Sequence, residues 1–302
     1  MTATLRISVV IPTYNRLDTL QYVIPALLAQ DVRPDVYEVI VADSNSTDGT
    51  REYLADIAKT APHVRHVPGP YTGRAGARNA GIAQARAPIV LFTDADIIAA
   101  NDLLSLHLAR HAKSAEPRAV VGLEVQVDSY ADYERKSRNL ALRGSIHPAS
   151  RRHIDWLYFM TGNASVPRAT LAQVGGFDEN FTGYGHEDLE LGYRLRAAGL
   201  RIEYAREAVN YHWHPVPFDQ QQGRMELAGR STVRFYRKHS TFGVAAKLGM
   251  TPVSLALHGL VDRTPALKTW IETNAAKPGF ARSLSFQYHY LTGVKAALRA
   301  ND

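Results

Sequence analysis

Apolar and polar positions in the first hundred residues predict strands that alternate with helices. Short apolar runs typical of buried strands cover residues 7–11, 38–42, 64–67 and 89–93. Helical spacing of apolar or small residues covers residues 18–28, 48–60 and 75–86. Pro25 should disturb the first helix, because its ring removes a backbone N–H donor. The βαβαβ order predicts a parallel sheet flanked by helices.

After residue 100 the pattern is less regular. It predicts helices over residues 102–114 and 188–198, the second ending at Gly199, and strands over residues 119–127 and 208–212. Beyond Pro217 the segments are helical and basic and carry no motif. We therefore place a boundary after residue 217, between an α/β domain and a helical C-terminal region.

Composition narrows the class of protein. The 302 residues are 45% hydrophobic and 21% charged, which is usual for a globular protein. The absence of cysteine excludes thiolate zinc sites, iron–sulfur clusters and a cysteine nucleophile. The pattern shows neither a signal peptide nor a run of about 18 uncharged apolar residues. We therefore expect a soluble, cytoplasmic protein.

The basic excess lies in one part of the chain. The formal net charge is +6, and residues 224–302 hold 12 Lys and Arg against 4 Asp and Glu, a balance of +8. This region is either a solvated basic face or a surface for an anionic membrane or acceptor polymer. Because the excess is confined there and no nucleic-acid-binding motif is present, we expect no nucleic-acid partner.

Polar residues follow three predicted strands, at the edge where parallel strands bind ligands. They are Pro12, Thr13, Tyr14 and Asn15 after the first strand, residues 43–49 after the second, and Asp94, Ala95 and Asp96 after the strand at 89–93. Two carboxylates spaced by two on an extended segment point the same way, which suits a divalent cation. A D-x-D sequence also occurs in solvated loops, so the spacing alone is consistent with either a metal site or a solvated loop.

Two further pairs are candidates for chemistry. His212 and His214 fall on one face of a predicted strand, where either imidazole can complete a metal site or be an ordinary surface side chain. Glu187 and Asp188 open a predicted helix after a glycine-rich turn. They either cap that helix, or Asp188 is a general base kept ionised by the helix N-terminus, with Glu187 supporting it or contacting the acceptor.

The glycine-rich segment at residues 73–81 matches neither the dinucleotide-binding fingerprint nor the P-loop, which disfavours both kinds of site. Arg74 and Arg78 are four residues apart on the predicted helix there. They either face one anion or belong to a solvated face. The G-x-S-x-G motif of serine hydrolases does not occur in the sequence.

These segments, in this order, resemble the motifs of family-2 glycosyltransferases of the GT-A fold. The resemblance spans about residues 7–215 and rests on residues 9–15, 41–50, 77–79, 92–96 and 175–178 through Glu187 and Asp188. It implies an α/β GT-A fold, with a mainly parallel central sheet flanked by helices and a helical C-terminal extension at 218–302. It divides residues 1–217 into a nucleotide-binding half, 1–98, and an acceptor-binding half, 99–217.

The resemblance also implies roles for individual residues. The nucleotide sugar would contact Pro12, Thr13, Tyr14, Asn15, Asp43, Arg74, Arg78, Asp94, Ala95, Asp96 and Gly162. The metal, Mn²⁺ or Mg²⁺, would be bound by Asp96 and by His212, which follows a tyrosine as the metal histidine does in some relatives. Asp188 would be the catalytic base, with Glu187 beside it. Ser44 and His186 depart from the residues that many relatives carry, so the nucleotide, for which we favour UDP, and the acceptor contacts stay open.

The implied function is inverting, metal-dependent transfer of a sugar from a nucleotide-diphospho-sugar to a hydroxyl of a saccharide, lipid-linked or other small acceptor. The basic region would contact the inner face of a membrane peripherally. Two alternatives remain. A sugar nucleotidyltransferase would need a glycine-rich phosphate loop where this chain has residues 12–15. A non-catalytic nucleotide- or glycan-binding module would have no need for both acidic pairs and His212 together.

Overall fold

The structure is a computed structural model that describes residues 4–113, 115–139 and 153–300. Within them the strands are β1 (Ile7–Thr13), β2 (Tyr37–Asp43), β3 (Val64–Pro68), β4 (Ile89–Phe92), β5 (Ile97–Ala99), β6 (Arg118–Val127), β7 (Ala164–Pro167) and β8 (Arg201–Trp213). The helices are α1 (Leu17–Leu28), α2 (Thr50–Thr60), α3 (Gly73–Gln84), α4 (Leu103–Ala112), α5 (Tyr130–Arg138), α6 (Arg168–Val174), α7 (Glu187–Ala197), α8 (Phe218–Lys238), α9 (Phe242–Lys247), α10 (Pro252–Asp262), α11 (Pro265–Asn274) and α12 (Phe280–Ala300). Ser114, the predicted end of the fourth helix, lies outside the described residues.

In the described part of the chain, eight strands form one sheet in the order β3-β2-β1-β4-β7-β6-β8-β5. The strands β3, β2, β1 and β4 are parallel, as the βαβαβ pattern predicts. Beyond β4 the sheet changes. Strand β7 runs antiparallel to both of its neighbours, β4 and β6, and β5 runs antiparallel to β8. The sheet is therefore mixed, and its parallel half is the part that the sequence pattern indicates.

The parallel strands form the core because both of their faces are covered. Every residue of β1 and β2 is buried, which explains why these strands are continuous apolar runs and not alternating patterns. Helix α1 packs Leu20, Val23 and Leu27 against this core. Burial of each such side chain contributes about 1.5–3 kcal/mol.

The first helix corrects one prediction. It continues through Pro25 as a single helix to Leu28, so the expected disturbance does not interrupt it. The proline is on the exposed face, and its carbonyl oxygen still accepts a hydrogen bond from Ala29 N at 3.0 Å. Only the bond to the carbonyl of Gln21 is lost, and water can replace it on the solvent side.

Backbone contacts divide the chain into two compact units. The sheet unit comprises the described residues up to Glu179 together with Glu187–Pro215. The helical unit comprises Asn180–His186 and the described residues from Val216 onwards. The division near residue 216 is close to the boundary that we place after residue 217. The segment Asn180–His186, however, belongs with the C-terminal helices.

Within the helical unit, α8 and α12 cross with their backbones in contact. A Cβ atom at Gly229 of α8 would lie 2.0 Å from the carbonyl oxygen of Tyr290. One at Gly293 of α12 would lie 1.9 Å from the carbonyl oxygen of Glu226. Any side chain at these positions would overlap the facing backbone, so the two glycines set how closely the helices approach.

Candidate active site

The carboxyl ends of β1 and β2 form a polar corner of the sheet unit. Thr13 and Asp43, their last residues, are partners in the parallel register. Asp43 is fully buried, and its Oδ1 accepts hydrogen bonds from the backbone and hydroxyl of Ser46 at 3.0 and 2.5 Å. Its Oδ2 lies 3.2 Å from Nε2 of His66. These neighbours hold the Asp43 carboxylate in one orientation.

Asn15 ties the loops after β1 and β2 together. Its backbone N–H donates to Ser46 Oγ at 2.8 Å, and its Oδ1 accepts a hydrogen bond from Thr47 N at 2.8 Å. Its φ of 49° is left-handed, a conformation that asparagine tolerates. Tyr14, one residue earlier, is 61% exposed. This corner therefore offers an aromatic face on which a planar base can stack.

A buried arginine joins two acidic motifs. Arg78 of α3 is 2% exposed, and its Nη2 donates to Asp94 Oδ1 at 2.7 Å while its Nη1 donates to Glu187 Oε1 at 3.1 Å. Burial opposes the charge on the guanidinium, but Asp94 and Glu187 more than compensate and raise the pKa of Arg78. The ion pairs bring the D-x-D segment and the Glu-Asp pair, which are far apart in sequence, into one site.

The two arginines of α3 have different surroundings. Arg74, one turn before Arg78, is exposed. The Nε of Arg78 and the Oε2 of Glu187 are buried and have no hydrogen-bond partner within the described residues. A buried polar atom without a partner is costly, so this donor and this acceptor are unusual features at the centre of the site. Pro12 and Ala95, also predicted to bind the donor, are both buried.

Asp188 is the second residue of α7, and its Oδ1 accepts a hydrogen bond from Leu189 N at 2.8 Å. Burial, followed by the charge of Glu187, raises the pKa of Asp188 to about 7, although Arg78 opposes this. The expectation that the helix N-terminus keeps this residue ionised is therefore corrected, since desolvation outweighs the helix. A carboxyl group with a pKa near neutrality is suited to accept a proton.

Asp96 and two histidines form a second group. Asp96 precedes β5, and its carbonyl oxygen accepts a hydrogen bond from Trp213 N at 2.9 Å, which fixes it beside the end of β8. Its Oδ1 lies 3.6 Å from His212 Nε2, and its Oδ2 lies 3.3 Å from His214 Nδ1. The two imidazoles are stacked with 5.8 Å between ring centroids, as period-two spacing predicts.

This group fits a divalent cation. Carboxylate oxygen and imidazole nitrogen bind such ions at about 2.0–2.2 Å, so atoms 3.6 Å apart on Asp96 and His212 can reach the same ion. Burial opposes ionisation of Asp96, but the nearby charge of protonated His212 lowers its pKa below the ordinary value. A cation bound at Nε2 would take the place of that proton. Among the described residues, no group of three or more ligating side chains occurs. Oxygen atoms of a ligand would have to fill the remaining positions.

Gly162 lies against a residue that the sequence analysis misses, Glu124 of β6. A Cβ atom at Gly162 would lie 2.2 Å from Glu124 Oε2, and the carbonyl oxygen of Gly162 accepts a hydrogen bond from Asn210 Nδ2 at 2.6 Å. Glu124 Oε1 lies 3.0 Å from His212 Nδ1. A signal was available in the sequence, because Glu124 is a charged residue within the apolar run at residues 119–125.

Comparison with known proteins establishes the family. The chain matches the model of glycosyl transferase family 2 over residues 8–175 and the model of the N-terminal domain of galactosyltransferase over residues 145–214. Since the first match covers more than half of the chain, the chain belongs to glycosyl transferase family 2. The predicted membership is confirmed.

One curated relative and two solved structures illustrate the similarity. Validoxylamine A glucosyltransferase from Streptomyces hygroscopicus subsp. limoneus is 35% identical over 260 residues, which cover 77% of this chain and 56% of that protein. The chain thus spans little more than half of that relative's length. The mannosyltransferase PcManGT from Pyrobaculum calidifontis, in complex with GDP-Man and Mn²⁺, matches with a TM-score of 0.70 at 21% identity. That match covers 100% of this chain and 89% of the PcManGT chain. TarS 1-349 from S. aureus, in complex with UDP-GlcNAc, matches with a TM-score of 0.57 at 17% identity, and the match covers 98% of this chain and 92% of the TarS chain. The predicted GT-A fold is confirmed.

Proposed function

We propose that this chain is an inverting, metal-dependent glycosyltransferase that moves a sugar from a nucleotide-diphospho-sugar to a hydroxyl group. The observation that carries the proposal is the pair of ion pairs by which the buried Arg78 holds Asp94 and Glu187 in one site. A module that only binds a nucleotide has no need for a half-buried carboxyl group with a raised pKa, which Asp188 provides. Family membership supports the same choice over a sugar nucleotidyltransferase.

The donor is proposed to bind along the carboxyl ends of the parallel strands. Its base would stack on Tyr14 and meet Asp43, its ribose would meet Asp94, and its sugar would approach Gly162. The exposed Arg74 would add positive charge near the diphosphate. PcManGT and TarS are described in complex with GDP-Man and UDP-GlcNAc, which supports a nucleoside diphosphate donor. We favour UDP, and the name of the glucosyltransferase relative makes glucose the first sugar to test.

Asp188 is proposed to be the general base. It takes the proton of the acceptor hydroxyl as that oxygen bonds to the anomeric carbon, while the bond from this carbon to the diphosphate oxygen breaks. The nucleoside diphosphate leaves with the bonding electrons, and one displacement inverts the configuration. A carboxyl group with a pKa of about 7 is partly ionised at neutral pH and basic enough for this transfer.

Asp96 and His212 are proposed to hold Mn²⁺ or Mg²⁺. When bound, the cation supplies positive charge that stabilises the departing diphosphate. The presence of Mn²⁺ with PcManGT supports this assignment. Arg78 fixes Asp94 and Glu187 in place, so that little reorganisation is needed during the reaction. Glu187 is proposed to support Asp188, whose pKa its charge raises.

Calorimetric titration with UDP, GDP, dTDP and CDP, each with and without Mn²⁺, tests the donor and the metal together. We expect one nucleotide to bind more tightly with Mn²⁺, and Asp96→Asn to abolish the difference. Asp56→Asn is the control, because Asp56 is an exposed acid on α2 paired with Lys59. Failure of all four nucleotides to bind the folded protein would contradict the proposal.

The acceptor is proposed to be a saccharide, a lipid-linked or another small hydroxyl compound. In the described ranges no helix is long and apolar enough to cross a bilayer. Contact with a membrane is proposed to be peripheral, through the C-terminal region with its balance of +8. Helix α10 there presents Val253, Leu257 and Leu260 on one face, 68%, 58% and 60% exposed.

Co-sedimentation with vesicles that contain phosphatidylglycerol tests the membrane contact. The protein should bind at low salt and dissociate as salt screens the charges. Leu257→Glu should weaken binding, whereas Leu227→Glu, at a position 47% exposed on α8, should change it little. A protein that stays in the supernatant at low salt would rule this contact out.

A further inference from the structure

Glu124 on β6 bonds the histidine that we propose as a metal ligand. Its Oε1 lies 3.0 Å from His212 Nδ1, the ring nitrogen opposite to the one that faces Asp96. A carboxylate can only accept a hydrogen bond, so Nδ1 carries the hydrogen. In the neutral imidazole the lone pair is then on Nε2, which lies 3.6 Å from Asp96 Oδ1.

Glu124 is itself held from two sides. Gln126 Nε2 lies 2.8 Å from the same Oε1 and 3.2 Å from His212 Nδ1. Because Nδ1 carries its own hydrogen, Gln126 donates to the carboxylate, and two N–H groups converge on this oxygen. Gly162 packs against the other oxygen, since a Cβ atom there would lie 2.2 Å from Oε2. In the register of β6 and β8, Gln126 is the partner of His212. The contact therefore links neighbouring strands, whose hydrogen bonds limit relative movement.

From this geometry we propose that Glu124 is a positioning residue, which fixes the tautomer and ring orientation of His212 for a divalent cation bound at Nε2. The inference rests on the proposed metal site of Asp96 and His212. Histidine ligands usually donate their other N–H to a carboxylate or carbonyl, and loss of such a partner lowers metal affinity about tenfold to a hundredfold. Glu124 thus favours His212 as the ligand, because His214 presents its Nδ1 to Asp96.

Glu124→Met tests the inference, since it keeps nearly the same side-chain size and removes the oxygen that accepts the hydrogen bond from His212 Nδ1. Electron paramagnetic resonance of free Mn²⁺ gives the dissociation constant with UDP present and, in a parallel series, with GDP. We expect the constant to rise about tenfold to a hundredfold, with an unchanged thermal unfolding midpoint. Gln126→Leu should give a smaller rise. Glu116→Gln, at a side chain 67% exposed, controls for the loss of a charge.

A second arm separates positioning from simple charge attraction. In the His212→Asn background, Glu124→Met should have no further effect on Mn²⁺ binding, because the residue through which Glu124 acts is gone. An equal loss in that background would show that Glu124 acts by its charge alone and would overturn the inference. So would Mn²⁺ affinity in Glu124→Met within twofold of the wild type. Wild-type protein that binds nucleotide but no Mn²⁺ would instead overturn the proposed metal site, and this inference with it.

Discussion

Three carboxyl groups near Arg78 have different surroundings, and the roles that we propose for them rest on this difference. Hydrogen bonds from Arg78 go to Asp94 and Glu187, whereas Asp188 accepts one from its neighbour's backbone. Burial and the adjacent charge of Glu187 raise the pKa of Asp188 to about 7. Neighbouring acids in different environments can have different roles in one site.

The proposed base predicts how the rate depends on pH. Only ionised Asp188 can accept a proton, so kcat/KM should fall about tenfold for each pH unit below its pKa and level off above it. With the pKa near 7, the bend should lie close to neutrality. Donor turnover measured from about pH 5 to pH 9 checks this. A flat profile over that range would argue against Asp188 as the base.

The buried guanidinium predicts a contrast between two variants of one helix. Arg78→Met leaves Glu187, whose side chain is 7% exposed, and Asp94 without their partner, and should cost about 3 kcal/mol of unfolding free energy. Arg74→Met removes the same charge from an exposed position one turn away and should cost less than about 0.5 kcal/mol. Urea denaturation of both variants measures the difference. Equal stability of the two would mean that the ion pairs contribute little.

The local sequence pattern predicts helices and strands best where the buried residues are apolar. The strand β8 spans Arg201–Trp213, although its apolar pattern predicts only residues 208–212. Its first half contains Glu203, which is fully buried because Arg110 and Arg118 donate to its two oxygens at 2.8 and 2.9 Å. Those arginines come from α4 and β6, so no local pattern could have shown that a glutamate belongs in the sheet.

Two glycines of α8 predict opposite effects of the same substitution. Gly229→Ala would place its methyl group 2.0 Å from the Tyr290 carbonyl oxygen and should destabilise the protein by about 1–3 kcal/mol. A Cβ atom at Gly223 would have no neighbouring atom within 4 Å. Gly223→Ala should therefore stabilise the protein by about 0.5–1 kcal/mol, through the higher helix propensity of alanine. Thermal unfolding of both variants checks this. A tolerated Gly229→Ala would show that the helices can move apart at little cost.

For the chain as a whole, the site is predictable where it follows from topology. Parallel strands end at one edge, so the residues after β1 and β2 could be placed together from sequence, and Thr13 and Asp43 are register partners. The contact of Glu124 with His212 depends on the pairing of β6 with β8, which are parallel and distant in sequence. The pKa of Asp188 depends on enclosure, which a linear pattern does not report.

Transfer and binding measured on one variant decide whether this site is catalytic. Nucleoside diphosphate release and donor affinity are compared between the wild type and Asp188→Asn, with Asp56→Asn as the exposed control. We predict that Asp188→Asn lowers kcat about 10²–10⁴-fold and leaves donor affinity nearly unchanged, because the base acts only in the transition state. Release at the wild-type rate by Asp188→Asn would contradict the assignment of Asp188, and absence of release by the wild type with every donor it binds would contradict the proposed transferase.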